Sequence, residues 1–174
     1  LRLHMQENNT IEFIDLVKGK QKFFSKDIGD FIIRRADGTA PFMFANAIDD
    51  SLMNVTHSLR GEDHITNTPR QIYLLDILEL KIPQYGHFPL IYGMDGAPLS
   101  KRNGSAAVRD LLATGILPLA LINYLARLGH YYKDNHLMKI DELAEKFDLK
   151  HINSSPAKHD PSHLKHWQKE AILK

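Results

Sequence analysis

The stretch NVTHSLRGEDHITNTPRQIYLLDILELKIPQYGHFPLIYG, residues 54–93, decides the fold class. Its first eight residues, NVTHSLRG, contain β-branched side chains and read as a strand. That strand runs into the polar cluster Arg60-Gly61-Glu62-Asp63-His64. A helix follows: Thr68 is the expected N-cap, and Pro69 falls at the first helical position, where its missing N–H costs nothing. Ile72, Leu75 and Leu78 then recur at helical spacing. HFPLIYG, residues 87–93, is the next strand. Strand, helix and strand joined by connections this short imply a βαβ crossover and a parallel sheet, hence an α/β fold.

Upstream, TIEFIDLVKG (residues 10–19) has short β-like alternation, and Phe31 to Ile33 form a brief apolar strand before an Asp37-Gly38 turn. PFMFANAI, Pro41 to Ile48, is apolar almost throughout and is expected to be a strand buried on both faces. From about Val108 onward the pattern turns helical. RDLLATG stops at Gly115, and LPLALINYLARLG runs from Pro118 near its first turn to Gly129, the usual asymmetry of helix ends. IDELAEKF and DPSHLKHWQKEAIL follow, with Asp141 and Asp160 as expected N-caps and Leu164, Trp167 and Ala171 along one face. The organisation is half of an α/β domain followed by a small helical module.

The 174 residues suffice for one domain, or one with an appendage. With 43% apolar and 25% charged residues, the chain has the composition of a soluble globular domain rather than a disordered one. Its 22 basic and 21 acidic side chains nearly cancel, so any basic site must be local. The lack of cysteine excludes disulfides and thiolate metal sites and fits a reducing compartment. No run approaches the roughly 18 apolar residues of a membrane span, and no signal peptide is legible. Because the chain opens on Leu1 inside strand-like sequence, a fragment is expected.

Ligands of parallel α/β sheets gather at the carboxyl ends of strands. Three polar clusters are expected there: Asn46 with Asp49-Asp50, the run Arg60 to His64, and Ser100-Lys101-Arg102 between Gly96 and Gly104. The residues alone leave RGEDH open between a solvated strand end with an exposed ion pair and a site. In a site, Arg60 would grip a carboxylate in a bidentate fork, and Asp63 would accept from a ribose hydroxyl or an amine. The Ser-Lys-Arg loop has neither P-loop nor GxGxxG spacing. Either it is a surface turn, or Lys101 is a phosphate clamp, each cation attracting one negative charge by about 4 kcal/mol at 4 Å and an effective dielectric near 20. His159 and His163 are spaced i, i+4 and read as surface residues rather than metal ligands. Asp49 and Asp50 would point to opposite faces of a strand, and Trp167 reads as a packing anchor.

Taken together, DFIIRRADGT, FANAIDDSLMNVTHSLRGEDHITNTPRQ, HFPLIY, DGAPLSKRNG, GILPLALINYLARLG and, more loosely, SSPAKHDPSHLKHWQ closely resemble the bacterial-type glutamyl-tRNA synthetases, class I enzymes. THSLRGEDHITNTPRQ carries most of that resemblance. It implies the second half of a Rossmann-like parallel-sheet catalytic domain followed by a mainly helical stem-contact module. Residues 1–28 would be the tail of the acceptor-binding insertion, 29–110 the catalytic half, and 111–174 the stem-contact module. The implied reaction joins glutamate to ATP as glutamyl-adenylate, then passes the acyl group to the 3′ end of a glutamate-specific tRNA. Lys101, Ser100 and Arg102 would form the core of the KMSKS loop. Lys101, Asp63 and the backbone of Pro89, Leu90 and Ile91 would hold ATP, and Asn46, Arg60 and Phe42 would meet the glutamate. Mg2+ is expected with ATP, with no metal held by the protein. A cytoplasmic enzyme, monomeric at full length and without a membrane partner, is implied. The rivals are a glutamyl-queuosine tRNA synthetase and a non-catalytic RNA-binding module. The HIGH signature and the anticodon-binding domains are expected outside this chain, which alone would not aminoacylate. Pro98 stands where the family usually has the first lysine of its loop, and Phe42 where it has a tyrosine.

Overall fold

Alternating apolar and polar residues make Thr10–Asp15 a strand, β2, as expected; it follows a short β1, Arg2–Leu3. It pairs antiparallel with β3, Gly19–Phe24, in register from Thr10↔Phe24 to Asp15↔Gly19. The computed structural model describes residues 1–99 and 107–174. After β3 come the one-turn helix α1 (Ser25–Ile28), β4 (Phe31–Ile32), which pairs with β1, and α2 (Phe42–Leu52). The deciding stretch folds as β5 (His57–Gly61), a 3-10 turn (Glu62–His64), α3 (Thr68–Ile77) and β6 (Gln84–Phe88). Strands β5 and β6 pair across the helix that connects them, so the expected crossover is present and the fold class is α/β.

HFPLIYG was expected to be one strand and is two: β6 ends before Pro89, and β7 is Ile91–Tyr92. Proline has no N–H to give to a ladder, which ends the pairing there. The helical half follows with α4 (Val108–Ala113), α5 (Pro118–Leu128), α6 (Ile140–Glu145), a 3-10 turn (Leu149–His151), β8 (Ala157–Lys158) and α7 (Pro161–Ile172). Strand β8 pairs parallel with β7. Asp160 caps α7 as expected, its carboxylate accepting from the Ser162 N–H at 2.8 Å.

Three local expectations are corrected. Pro41 to Ile48 is not a doubly buried strand; Phe42 onward is helix α2. A continuous apolar run carries no period that separates strand from buried helix. As a helix it buries Ala47 against Leu74 and Leu75 of α3 and leaves Phe42 60% exposed. The N-cap of α3 is Asn67, with Thr68 the first helical residue. The Thr68 hydroxyl is committed to Arg60 and His87 instead of the helix end. Asp141 lies in the first turn of α6, two residues past its N-cap Lys139, where a carboxylate still suits the helix dipole.

Two compact units, Leu1–His87 and Phe88–Lys174, make up the chain. The first has a core of Met5, Ile11, Ile28, Phe31 and Tyr73, with the α2–α3 cluster beside it. The second packs α5 against α7 through Leu121, Tyr124, Leu137, Leu164 and Trp167. Trp167 is a buried anchor, as expected, and the Arg127 guanidinium lies 4.2 Å from its ring centre. His163 is exposed, but His159 is half-buried, its Nδ1 2.6 Å from the Tyr124 hydroxyl, which corrects its reading as a surface residue. No helix among the described residues is long and apolar enough to cross a membrane.

Candidate amino-acid pocket

The helical state of residues 42–52 builds the site. At 3.6 residues per turn, positions i, i+4 and i+8 share one face, and Phe42, Asn46 and Asp50 stand at that spacing. All three line a cavity of about 310 Å³ in the first unit, together with Val55, His57, Ser58, Leu59, Arg60 and His64. Strand β5 brings Arg60 to this cavity. The 3-10 turn after it brings His64, whose ring is 5.9 Å from that of Phe42.

Arg60 is half-buried, and it is held by neutral groups. Its Nη2 donates to Thr68 Oγ1 at 2.7 Å and to Gln71 Oε1 at 2.6 Å, and its Nε approaches His87 Nε2 at 3.3 Å. The Tyr85 ring lies 5.2 Å from the guanidinium carbon. Burial of that ring pushes the Tyr85 hydroxyl up to about 12, so it is not an anion here. Among the described residues no carboxylate lies within ion-pair distance of Arg60. Burial pushes the guanidinium pKa down, with only longer-range pull from the carboxylates of Asp50, Asp15 and Asp63 against it. A cation arranged this way has its geometry fixed and its charge unneutralised, which is what a carboxylate ligand requires. Gln71 ties the arrangement to the helix face, its amide nitrogen donating to Met43 O at 3.0 Å and Asn46 Oδ1 at 3.1 Å.

Of the residues expected at a glutamate site, Asn46, Arg60 and Phe42 therefore converge on one cavity. Asp50 joins them. Read as part of a strand, the Asp49-Asp50 pair showed no shared direction; the i, i+4 relation to Asn46 was the signal available. Asp49 is exposed and does not line the cavity. Asp63 is exposed, 3.9 Å from His64 Nε2, and does not line it either. Pro89, Leu90 and Ile91 belong to the second unit. Ser100, Lys101 and Arg102 lie outside the described residues. The segment before them is a tight β-turn structure: Gly93 N–H donates to Ala97 O, Leu99 N–H to Ile91 O, and Gly96 takes φ +76° at the tip. Pro98 sits opposite Tyr92 in that structure.

Residues 1–166 match the family model for tRNA synthetases class I (E and Q), catalytic domain. Among curated proteins, a glutamate–tRNA ligase 2 of Nitrosococcus oceani is 59% identical over all of this chain, which spans 37% of that protein. A glutamate–tRNA ligase 2 of Coxiella burnetii is 55% identical over 99% of the chain, again 37% of the relative. The crystal structure of a glutamate tRNA ligase from Elizabethkingia meningosepticum in complex with its amino acid matches with a TM-score of 0.91 at 26% identity, over 99% of this chain and 38% of that one. The chain thus spans little more than a third of the length of these relatives.

Proposed function

The chain belongs to the class I tRNA synthetase (E and Q) catalytic-domain family, and we propose that it carries the glutamate-binding part of a glutamate–tRNA ligase. The observation that carries this reading is the cavity with Phe42, Asn46 and Asp50 on one helix face and the unneutralised Arg60 beside them. A free amino acid presents carboxylates and an ammonium group. Arg60 takes a carboxylate in a charge-assisted pair through Nη1, its Nε and Nη2 being engaged within the protein. Asp50 takes the ammonium group, and Asn46 supplies an amide to whichever polar edge remains.

The α-carboxylate of glutamate attacks the α-phosphorus of ATP. A carboxylate oxygen–phosphorus bond forms and pyrophosphate leaves. A hydroxyl at the 3′ end of a glutamate-specific tRNA then takes the acyl group from the mixed anhydride, whose acyl–oxygen bond breaks to release AMP. Charge accumulates on the departing phosphates, and Lys101, flanked by Ser100 and Arg102, is assigned to meet it; a fixed cation there lowers the barrier selectively. Asp63 and the backbone of Pro89 to Ile91 are assigned to ATP, with Mg2+ accompanying the nucleotide. Residues 1–28, 29–110 and 111–174 are read as insertion tail, catalytic half and stem-contact module of a cytoplasmic, monomeric enzyme.

Glutamate-dependent ATP–pyrophosphate exchange by the protein expressed from its complete reading frame tests the reading. Exchange is expected, and Arg60→Gln is expected to raise the KM for glutamate by about 100-fold, the scale of a lost charge-assisted pair. Absence of exchange in the unmodified protein would overturn the assignment.

A further inference from the structure

Beneath the cavity lies a buried chain of polar groups that the reading above does not use. Asp15, at the end of β2, and His87, in β6, both have fully buried side chains and stand 72 positions apart in sequence. Four donors converge on the Asp15 carboxylate: the N–H groups of Val17 at 2.9 Å, Lys18 at 2.8 Å and His87 at 3.1 Å, and His87 Nδ1 at 2.5 Å. A carboxylate accepts only, so the shared proton sits on His87 Nδ1 and leaves a lone pair on Nε2. That lone pair faces Thr68 Oγ1 at 2.9 Å and Arg60 Nε at 3.3 Å. Arg60 Nη2 donates to the same Thr68 oxygen. Every donor in the series points toward Asp15, an arrangement in which each bond polarises the next.

We propose that Asp15 and His87, with Thr68 between His87 and the guanidinium, are the positioning residues of Arg60. They take up its Nε and Nη2 on the buried side and turn the Nη1 edge toward a substrate carboxylate. Among the described residues Nη1 has no hydrogen-bond partner, as this requires. The inference rests on the reading of Arg60 as the carboxylate ligand. Asp15 contributes through His87, with the two N–H bonds of the turn after β2 fixing the carboxylate so that it cannot swing. The pair thereby couples the β2–β3 hairpin to the amino-acid pocket within the first unit.

The test is steady-state ATP–pyrophosphate exchange with the protein expressed from its complete reading frame, varying glutamate and ATP separately. In His87→Gln the side-chain amide offers an acceptor near the Nε2 position, whereas in His87→Asn the acceptor stops short of Arg60. His87→Asn is expected to raise the glutamate KM about tenfold, with the ATP KM and kcat changed much less, and His87→Gln is expected to restore most of it. Thr68→Val, which keeps the side-chain shape, supplies the same reading should His87→Asn fold poorly; it is expected to raise the glutamate KM by about fivefold. If Arg60→Gln raises that KM while His87→Asn and Thr68→Val leave it unchanged, the positioning role is overturned and the pocket stands. An unchanged KM in Arg60→Gln would overturn the pocket itself. Equal loss in His87→Asn and His87→Gln, matched by equal loss of folded protein, would reduce the pair to a structural role and overturn the inference.

Discussion

Each compact unit buries a histidine, and the two are treated in opposite ways. In the first, His87 is wholly buried and both ring nitrogens are engaged, Nδ1 by Asp15 and Nε2 by Thr68 and Arg60. In the second, His130 is 6% exposed and packs among Tyr132, Phe147 and His151; its Nε2 meets the backbone of Asp148, and its Nδ1 has no partner among the described residues. His87 sits in a polar network that ends at a cavity. His130 behaves as an aromatic filler with one polar tether. The contrast extends to the rest of each unit. Asn123, buried in the second, spends its side chain on the Leu119 carbonyl, on both backbone groups of Met138 and on the Arg127 guanidinium, and so ties helix to loop. Gln71, buried in the first, spends its side chain on the Met43 carbonyl and on Arg60 and Asn46, both of which line the pocket. A buried polar group costs free energy unless satisfied. In the second unit Asn123 meets that cost with backbone groups and Arg127, whereas in the first Gln71 meets part of it with Arg60 and Asn46, groups that a ligand would also use.

The strongest way to break the comparison is Asp15→Ala. It strands four donors in a fully buried site, so a loss of about 3–5 kcal/mol in unfolding free energy is expected by denaturant titration. A loss below about 1 kcal/mol would mean that water replaces the carboxylate and that the network is not closed.

A middle-sized effect concerns pH. Burial, the largest influence on the His87 ring, holds its pKa below 6.5 against the pull of Asp15, with Arg60 and His64 also acting against protonation. As pH falls through 6.5 the unfolded chain binds a proton that the folded chain refuses. Stability is therefore full above that value and declines below it. Asp15 adds to the decline only at more acid pH: burial works to raise its pKa, but the hydrogen bonds from Lys18, His87 and Val17 prevail and hold it below 3.8. Its contribution is present above that value and lost as pH falls through its lowered folded value. The melting temperature is expected to drop between pH 7 and 5, with a shallower drop in His87→Gln. A residual slope from His130, whose pKa burial also lowers, should remain. Identical slopes in the two proteins would remove His87 from the account.

The smallest effect expected is that of His130→Leu. Replacing a ring with an unpartnered nitrogen by an apolar side chain relieves one cost while giving up the tether to Asp148, and the net change should stay within about 1 kcal/mol. A loss as large as that of Asp15→Ala would show that the two histidines are equivalent after all.

Legibility followed the range of the interactions. The helices after Val108 were readable because caps, prolines and apolar spacing act within a few residues, and α5 runs from Pro118 to Leu128 before Gly129 as expected. The crossover of residues 54–93 was readable for the same reason. Helix α2 was not, because an unbroken apolar run looks alike in either state, and that misreading hid the alignment of Asp50 with Asn46 and Phe42. Arg60 stood out as a cation at a strand end, yet nothing local distinguished a surface ion pair from a clamp. His87 was one of ten histidines, and Asp15 one polar position in an alternating strand.

The sequence by itself determined the α/β class, the crossover of residues 54–93 and the residue types able to meet a carboxylate, since those depend on propensity, spacing and side-chain chemistry. Only the tertiary structure decided which of them form a pocket. It placed Asp15 against His87 across 72 residues, and long-range packing of that kind leaves no local trace. In that setting Arg60 has neutral neighbours rather than an acid, so its charge is left for a ligand.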